Sequence, residues 1–148
     1  MIWSGFIFAA LFALDRITKY YALHNFAESY RVNDFLSFEL AFNRGVSWSM
    51  FHSANDTIFI AVSSVIAIIL CTLIWHTVIR YRAGNNIIGE LLVLAGAVSN
   101  LIDRFVYQGV VDFIFISYGS FAWPIFNIAD VSIVIGVLVM VIMNARQA

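Results

Sequence analysis

The 148-residue chain is 62% hydrophobic and only 11% charged, with a mean hydropathy of +0.90, which leaves room for one domain and places that domain in a membrane. A formal net charge of −1 with no basic stripe excludes a nucleic-acid partner. The single cysteine, Cys71, excludes an intrachain disulfide, and the scattered His24, His52 and His76 lack metal-ligand spacing, so neither metal nor cofactor is expected.

Residues 2–22 form the first apolar segment. No Lys or Arg precedes it, and its first charges, Asp15, Arg16 and Lys19, come late, the reverse of the order in a cleavable signal peptide. It is therefore read as a mature helix. Asp15 and Lys19 share a face at i, i+4, and their plainest role is a structural salt bridge ending the helix. Residues 25–56 follow, about 30 residues and long for a structureless connection. The stretches 35–42 and 46–51 mix aromatic and aliphatic with polar residues, which predicts a small sheet lying on the membrane surface.

Residues 57–79 carry no charge between Asp56 and Arg80 and exceed the ~20 residues needed to cross hydrocarbon. Two further helices are read at 86–107 and 124–145, with Pro124 opening the last, where a missing N–H is harmless. The expected fold is an all-α membrane protein: a four-helix transmembrane bundle, a single domain over 1–148, with a small extracytoplasmic sheet and loop region. Arg80 and Arg82 in the second loop and Arg146 in the tail put that loop and both termini in the cytoplasm, and 25–56 and 108–123 on the opposite face. Trp48, Phe51, Tyr118, Phe121 and Trp123 then fall near one interface, where simple aromatic anchoring accounts for them.

Against this background the acids stand out, because a charge at membrane depth costs roughly 2.5–3.5 kcal/mol and usually faces a protein interior. On the third helix Gly96, Asn100 and Asp103 stack on one face at i, i+4, i+7, with Arg104 beside them. A polar helix–helix contact explains Gly96 and Asn100 alone, and Asp103 with Arg104 fits an interfacial ion pair. Asn127 and Asp130 share a face at the start of the fourth helix. Asp112 lies in the preceding loop, with 17 residues between it and Asp130, enough for two acids to meet at the bilayer surface.

Taken in order, these strings resemble the lipoprotein signal peptidases, or signal peptidase II. The resemblance runs through Asp15-Arg16-Ile17-Thr18-Lys19, Asn43-Arg44-Gly45-Val46-Ser47-Trp48, and Gly96-Ala97-Val98-Ser99-Asn100-Leu101-Ile102-Asp103-Arg104. It continues in Val110-Val111-Asp112-Phe113 and Phe126-Asn127-Ile128-Ala129-Asp130. Val46 and Ser99 stand where the family commonly has Ala and Gly, small changes that bear on packing more than chemistry. The resemblance implies an aspartyl endopeptidase with Asp112 and Asp130 as its catalytic dyad. Asn43, Gly45, Asn100, Asp103, Arg104 and Asn127 would support the site, and Asp15 with Lys19 would hold the first helix against it. The implied substrate is a diacylglyceryl-modified prolipoprotein, cut just before its lipidated cysteine in the bacterial inner membrane; membrane lipids are expected as partners, and a monomer is expected.

The dyad chemistry also stands on its own. Two carboxyls close together cannot both ionise cheaply, so they share a proton near neutral pH, and one activates water while the other donates to the scissile carbonyl. The rival from another class is a proton- or cation-coupled transporter relaying through Asp103, Asp112 and Asp130, which the small size and absent repeat symmetry disfavour. A non-catalytic assembly factor with structural acids is the third reading.

Overall fold

A computed structural model describes residues 2–45 and 55–145. Among these residues are four helices, α1 (Ile2–Asn25), α2 (Asp56–Arg82), α3 (Ile88–Tyr107) and α4 (Ile128–Ala145). They are joined by a four-stranded antiparallel sheet, β1 (Tyr30–Arg31), β2 (Leu36–Asn43), β3 (Val110–Tyr118) and β4 (Phe121–Ala122), in the order β1-β2-β3-β4.

The helices divide by how they treat polar residues. Two of them, α2 and α4, are long and apolar enough to cross a membrane. Asn55 caps α2 by accepting from Thr57 N at 2.8 Å, and Arg80 and Arg82 complement its last-turn carbonyls. The other two carry charges, but turn them inward: Asp15 and Lys19 of α1 and Asp103 and Arg104 of α3 are all buried. The pairing of Arg80 with Glu90 at 2.8 Å ties the far end of α2 to the start of α3.

Close approach of α3 and α4 depends on missing side chains. A Cβ on Gly96 would collide with the carbonyl of Ala129, and one on Gly136 would lie 2.7 Å from the carbonyl of Gly89. Larger residues at these positions would push the helices apart. The apolar core is small, centred on Leu94, Ala95, Val111, Phe113 and Ala129, whereas the most completely buried side chains include Lys19, Asn127, Asp15, Asp103, Asp112 and Ser99. Burial on this scale is tolerable only where each polar group finds a partner.

Here the structure corrects several expectations. The segment read as a loop after the third helix is β3, whose sequence Val-Val-Asp-Phe-Ile-Phe-Ile-Ser-Tyr is dominated by the β-branched and aromatic residues that suit a pleated surface. Asp112 is thus on a strand. β3 is also the partner of 36–43, pairing along β2 from Leu36↔Ile116 to Asn43↔Val110. The stretch 46–51, expected to contribute to the sheet, lies outside the described residues, as do Trp48 and Phe51. Pro124 does not open the last helix. Residues 124–127 run extended, with Phe126 and Ile114 exchanging backbone hydrogen bonds at 3.1 and 2.8 Å, and α4 begins at Ile128. The first helix does not stop near Lys19 or Ala22 but continues to Asn25.

A register shift between Phe38 and Ala41 inserts an extra residue in β2 opposite β3. Such bulges bend a strand and re-aim its side chains. Beyond it Ala41 faces Asp112 and Asn43 faces Val110, which leaves Asn43 and Asp112 as diagonal neighbours on one face.

Candidate active site

Asp112 and Asp130 reach the site from a strand and a helix start, and Asn127 joins them. Asn127 is the residue before α4 and Asp130 the third residue within it. The Asn127 side chain accepts from Asp130 N at 2.9 Å, and Asp130 Oδ2 accepts from Asn127 N at 3.2 Å. This is a reciprocal capping box, which satisfies two helix-end donors and fixes the Asp130 carboxylate against its own backbone. With its oxygen committed to the helix end, Asn127 turns its amide nitrogen to Asp112 Oδ1 at 2.6 Å and to Val111 O at 3.3 Å. One asparagine therefore holds both acids.

The remaining carboxylate oxygens take amide donors as well. Asp112 Oδ2 accepts from Asn43 Nδ2 at 3.1 Å, while Asn43 Oδ1 accepts from Gly45 N at 2.9 Å in a tight turn. Asp130 Oδ1 accepts from Asn100 Nδ2 at 2.9 Å. The orientation of Asn100 is dictated from behind: its oxygen accepts from Lys19 Nζ at 2.7 Å, and a lysine offers only donors, so the amide nitrogen must face Asp130. Among the described residues no cation forms an ion pair with either acid. Burial, and next the neighbouring Asp130 carboxylate, push Asp112 up to about 7 against the opposing bonds from Asn43 and Asn127.

Behind this pair lies a second, charge-compensated cluster. Lys19 Nζ is 2.9 Å from Asp15 Oδ2 and 2.7 Å from Asp103 Oδ2, so with Asn100 its three donors are all used. Asp103 also accepts from Val111 N at 3.2 Å and pairs with the Arg16 guanidinium. Asp15 accepts from Ser99 Oγ at 2.6 Å and from Ala129 N at 2.7 Å, fastening α1 to both α3 and α4. The Asp15–Lys19 salt bridge is thus real, but it sits inside the bundle rather than closing a helix.

Arg104 departs from expectation. It does not pair with Asp103, the preceding residue, because the two side chains leave α3 in different directions. Its guanidinium reaches instead to the carbonyl of Gly45, with a longer contact to Arg44 O at 3.4 Å, and so clamps the chain where it leaves β2. Phe59 of α2 lies beneath, its ring centre 5.6 Å from Arg104 and 4.9 Å from Arg44.

The acids open onto a cavity of about 480 Å³ bounded by α2, α3 and α4. Its polar end is formed by Asn43, Gly45, Asn100, Arg104, Asp112 and Asp130, and its depth by aliphatic residues such as Ile66, Leu101 and Ile133. All ten residues singled out in the sequence gather at this end of the bundle, six of them on the cavity wall and Asn127, Asp103, Asp15 and Lys19 behind it. Sequence reasoning missed Arg16 and Ser99 as contributors. Arg16 carried a signal, a cation in an apolar helix, whereas Ser99 carried little, since serine is common in helix contacts.

A pair of enclosed carboxyls, Asp112 buried and Asp130 part-buried, with no ion-pair partner among the described residues and facing a cavity, is the arrangement of an aspartic peptidase, and comparison with known proteins agrees. The family model described as Signal peptidase (SPase) II matches residues 7–146. The chain belongs to that family. It is 36% identical over 95% of its length to the lipoprotein signal peptidase of Dichelobacter nodosus, covering 92% of that protein. It is 34% identical over 90% of its length to that of Clostridium novyi, covering 91% of it. It superposes with a TM-score of 0.81 on a bacterial membrane enzyme solved by the in meso method at 2.3 Å resolution, at 27% identity, with 99% of this chain and 90% of that one covered. As a signal peptidase II it is an aspartic endopeptidase, a membrane hydrolase of lipoprotein processing. The transporter and assembly-factor readings fall with that assignment.

Proposed function

We propose that the enzyme removes the signal peptide of diacylglyceryl-modified prolipoproteins by cutting just before the lipidated cysteine, with Asp112 and Asp130 as the catalytic pair. The observation that carries the assignment is that these two acids, Asp112 buried and Asp130 part-buried, face one cavity, accept hydrogen bonds from neutral amides, and share Asn127. Held this way, the pair keeps one proton near neutral pH and titrates as a unit. The ionised member takes a proton from water, which attacks the scissile carbonyl while the protonated member donates to the carbonyl oxygen. The tetrahedral diol collapses as a proton returns to the leaving amine. Asn43, Asn100 and Asn127 orient the carboxylates, Arg104 sets the Gly45 turn beside them, and Asp103 with Asp15 and Lys19 locks α1 behind Asn100.

All four helices are read as membrane spans. Although α1 and α3 carry charges, those charges are paired inward, and 24 and 20 residues at ~1.5 Å each reach the ~30 Å of a hydrocarbon core. With Arg80, Arg82 and Arg146 inside, both termini are cytoplasmic and the site opens on the extracytoplasmic side. The aliphatic depth of the cavity below the acids suits a substrate whose acyl chains stay in lipid while its backbone is presented at the level of Asp112. The enzyme is taken to act as a monomer.

The test is cleavage by purified protein, in detergent with chelator present, of a synthetic diacylated precursor and of the same precursor unmodified, with the cut placed by mass spectrometry. Acyl burial at ~0.8 kcal/mol per CH₂ fixes substrate depth, and a ~1 Å misplacement can cost ~10²-fold in rate. The diacylated precursor should be cut far faster, before its cysteine. Equal rates would remove lipid positioning from the function, and a cut elsewhere would remove the site preference.

A further inference from the structure

The two edges of the sheet differ in chemistry. On the β1 side lie Glu28, Arg31, Asp34 and Glu39, with Arg31 and Asp34 paired in the open at 2.8 Å. On the β4 side there is no charge between Asp112 and Asp130. The hairpin of β3 and β4 turns at Gly119, in the left-handed region at φ +59°. Around that turn it leaves Tyr118 80% and Phe121 58% exposed, followed by half-exposed Trp123 with its ring 6.2 Å from that of Phe121.

The length of α4 says what lies against this edge. Its 18 residues span ~27 Å, slightly less than a ~30 Å hydrocarbon core. Since α4 carries no charge from Val131 to Ala145, with Asp130 in its first turn turned to the cavity, its start at Ile128 lies at or just below the outer hydrocarbon boundary. The extended residues 124–127 and the hairpin bonded to them through Ile114 and Phe126 cannot then stand far above it.

Resting on the four-span orientation proposed above, we infer that the β3–β4 hairpin is embedded in the outer lipid interface, so that the sheet stands tilted with its β4 edge among headgroups and acyl chains and its β1 edge in water. Tyrosine and tryptophan favour that boundary, where the ring is apolar and its polar tip stays wet. Lipid contact would continue from α4 onto the hairpin without a break. Asp112, on the same strand as Tyr118, is thereby held at a fixed depth, and the hairpin forms the lipid-side wall of the cavity at Trp123 and Pro124.

The lone cysteine makes the inference testable with three singly spin-labelled proteins in phospholipid vesicles: the native Cys71 protein, Ser120→Cys in a Cys71→Ala background, and Glu28→Cys in the same background. Cys71, Ser120 and Glu28 are all exposed, so labelling should leave the fold intact, which cleavage activity of each labelled protein verifies. Power saturation with oxygen and with a water-soluble nickel chelate reads depth. Cys71 on α2 should be open to oxygen and closed to nickel, Ser120→Cys should resemble it with partial nickel access, and Glu28→Cys should show the reverse. If Cys71 is nickel-accessible, the spanning orientation itself fails. If Cys71 is lipid-buried but Ser120→Cys matches Glu28→Cys, the hairpin stands in water and this inference alone is overturned.

Discussion

Four carboxylates sit within one small region, Asp15, Asp103 and Asp112 buried and Asp130 part-buried, yet they fall into two kinds. Asp15 and Asp103 are met by Lys19 and Arg16, whereas Asp112 and Asp130 are met by the amides of Asn43, Asn100 and Asn127. Cations neutralise a buried acid and fix it as ionised. Amides orient an acid while leaving its charge state free. The first pair can therefore hold helices together permanently, and the second can exchange a proton at each turnover. Lys19 belongs to both sides, since the same ammonium that neutralises the first pair also orients Asn100 toward Asp130.

The comparison breaks most sharply at the second pair. Asp112→Asn and Asp130→Asn should each lower turnover by at least the ~10²–10⁴-fold attributed to acid–base action, with abundance kept and Tm not lowered, because the amide keeps the shape and loses the proton. Cleavage near the native rate in either variant would remove the dyad. At the first pair the effect should fall on folding. Lys19→Met leaves two buried carboxylates without their shared cation, a change of the kind that costs ~3–5 kcal/mol. Low membrane yield and a lowered Tm are expected, together with lost activity. A stable but inactive Lys19→Met would mean that the lysine acts on the reaction itself.

A pH series sharpens the same contrast. Because burial and Asp130 raise Asp112 to about 7, the shared proton leaves as pH rises through that value, and kcat/KM should fall on the alkaline side. The unfolded chain releases this proton near ~3.9, so between those values the folded state binds more protons and loses stability as pH rises. Asp112→Asn lacks that burden. Its Tm should gain on the native protein from pH 5 to pH 8, by the equivalent of a few kcal/mol at most. A constant Tm difference across the series would show that Asp112 is not held protonated by its surroundings.

Much of this was legible in the sequence, for identifiable reasons. An acid in an apolar run is costly wherever it is placed, so Asp112 and Asp130 pointed inward before any geometry was known, whereas Asp15 and Asp103 read most plainly as ion pairs at helix ends. Helix spacing correctly stacked Gly96, Asn100 and Asp103, whereas Asn127 meets Asp130 as the cap before α4 rather than on a helix face. The pairing of strands distant in sequence was not legible. Residues 36–43 and 110–118 lie on opposite sides of two helices in the chain, and nothing local in either announces the other. For the same reason Asp103 and Arg104 were coupled by adjacency, when consecutive helical residues point about 100° apart and each found a partner in another element. Pro124 misled through a true generality, since proline suits both a helix start and the extended approach to one.

The smallest expected effect belongs to Arg16, and it asks whether the charge-compensated cluster is uniform. Arg16 pairs with Asp103 but keeps 26% of its side chain exposed, whereas Lys19 and Asp103 are fully enclosed. If its guanidinium is replaced, Asp103 still holds Lys19 Nζ at 2.7 Å and Val111 N at 3.2 Å, so no carboxylate is left bare. Arg16→Gln also retains a donor for the Ser99 carbonyl that Arg16 contacts at 3.4 Å. A partly exposed pair of this kind contributes ~1 kcal/mol or less. Tm should therefore fall slightly and turnover remain within a few-fold of native, in contrast to Lys19→Met. A collapse matching that of Lys19→Met would show that Asp103 needs both cations, and that the cluster behaves as one unit rather than as a lysine core with an arginine rim.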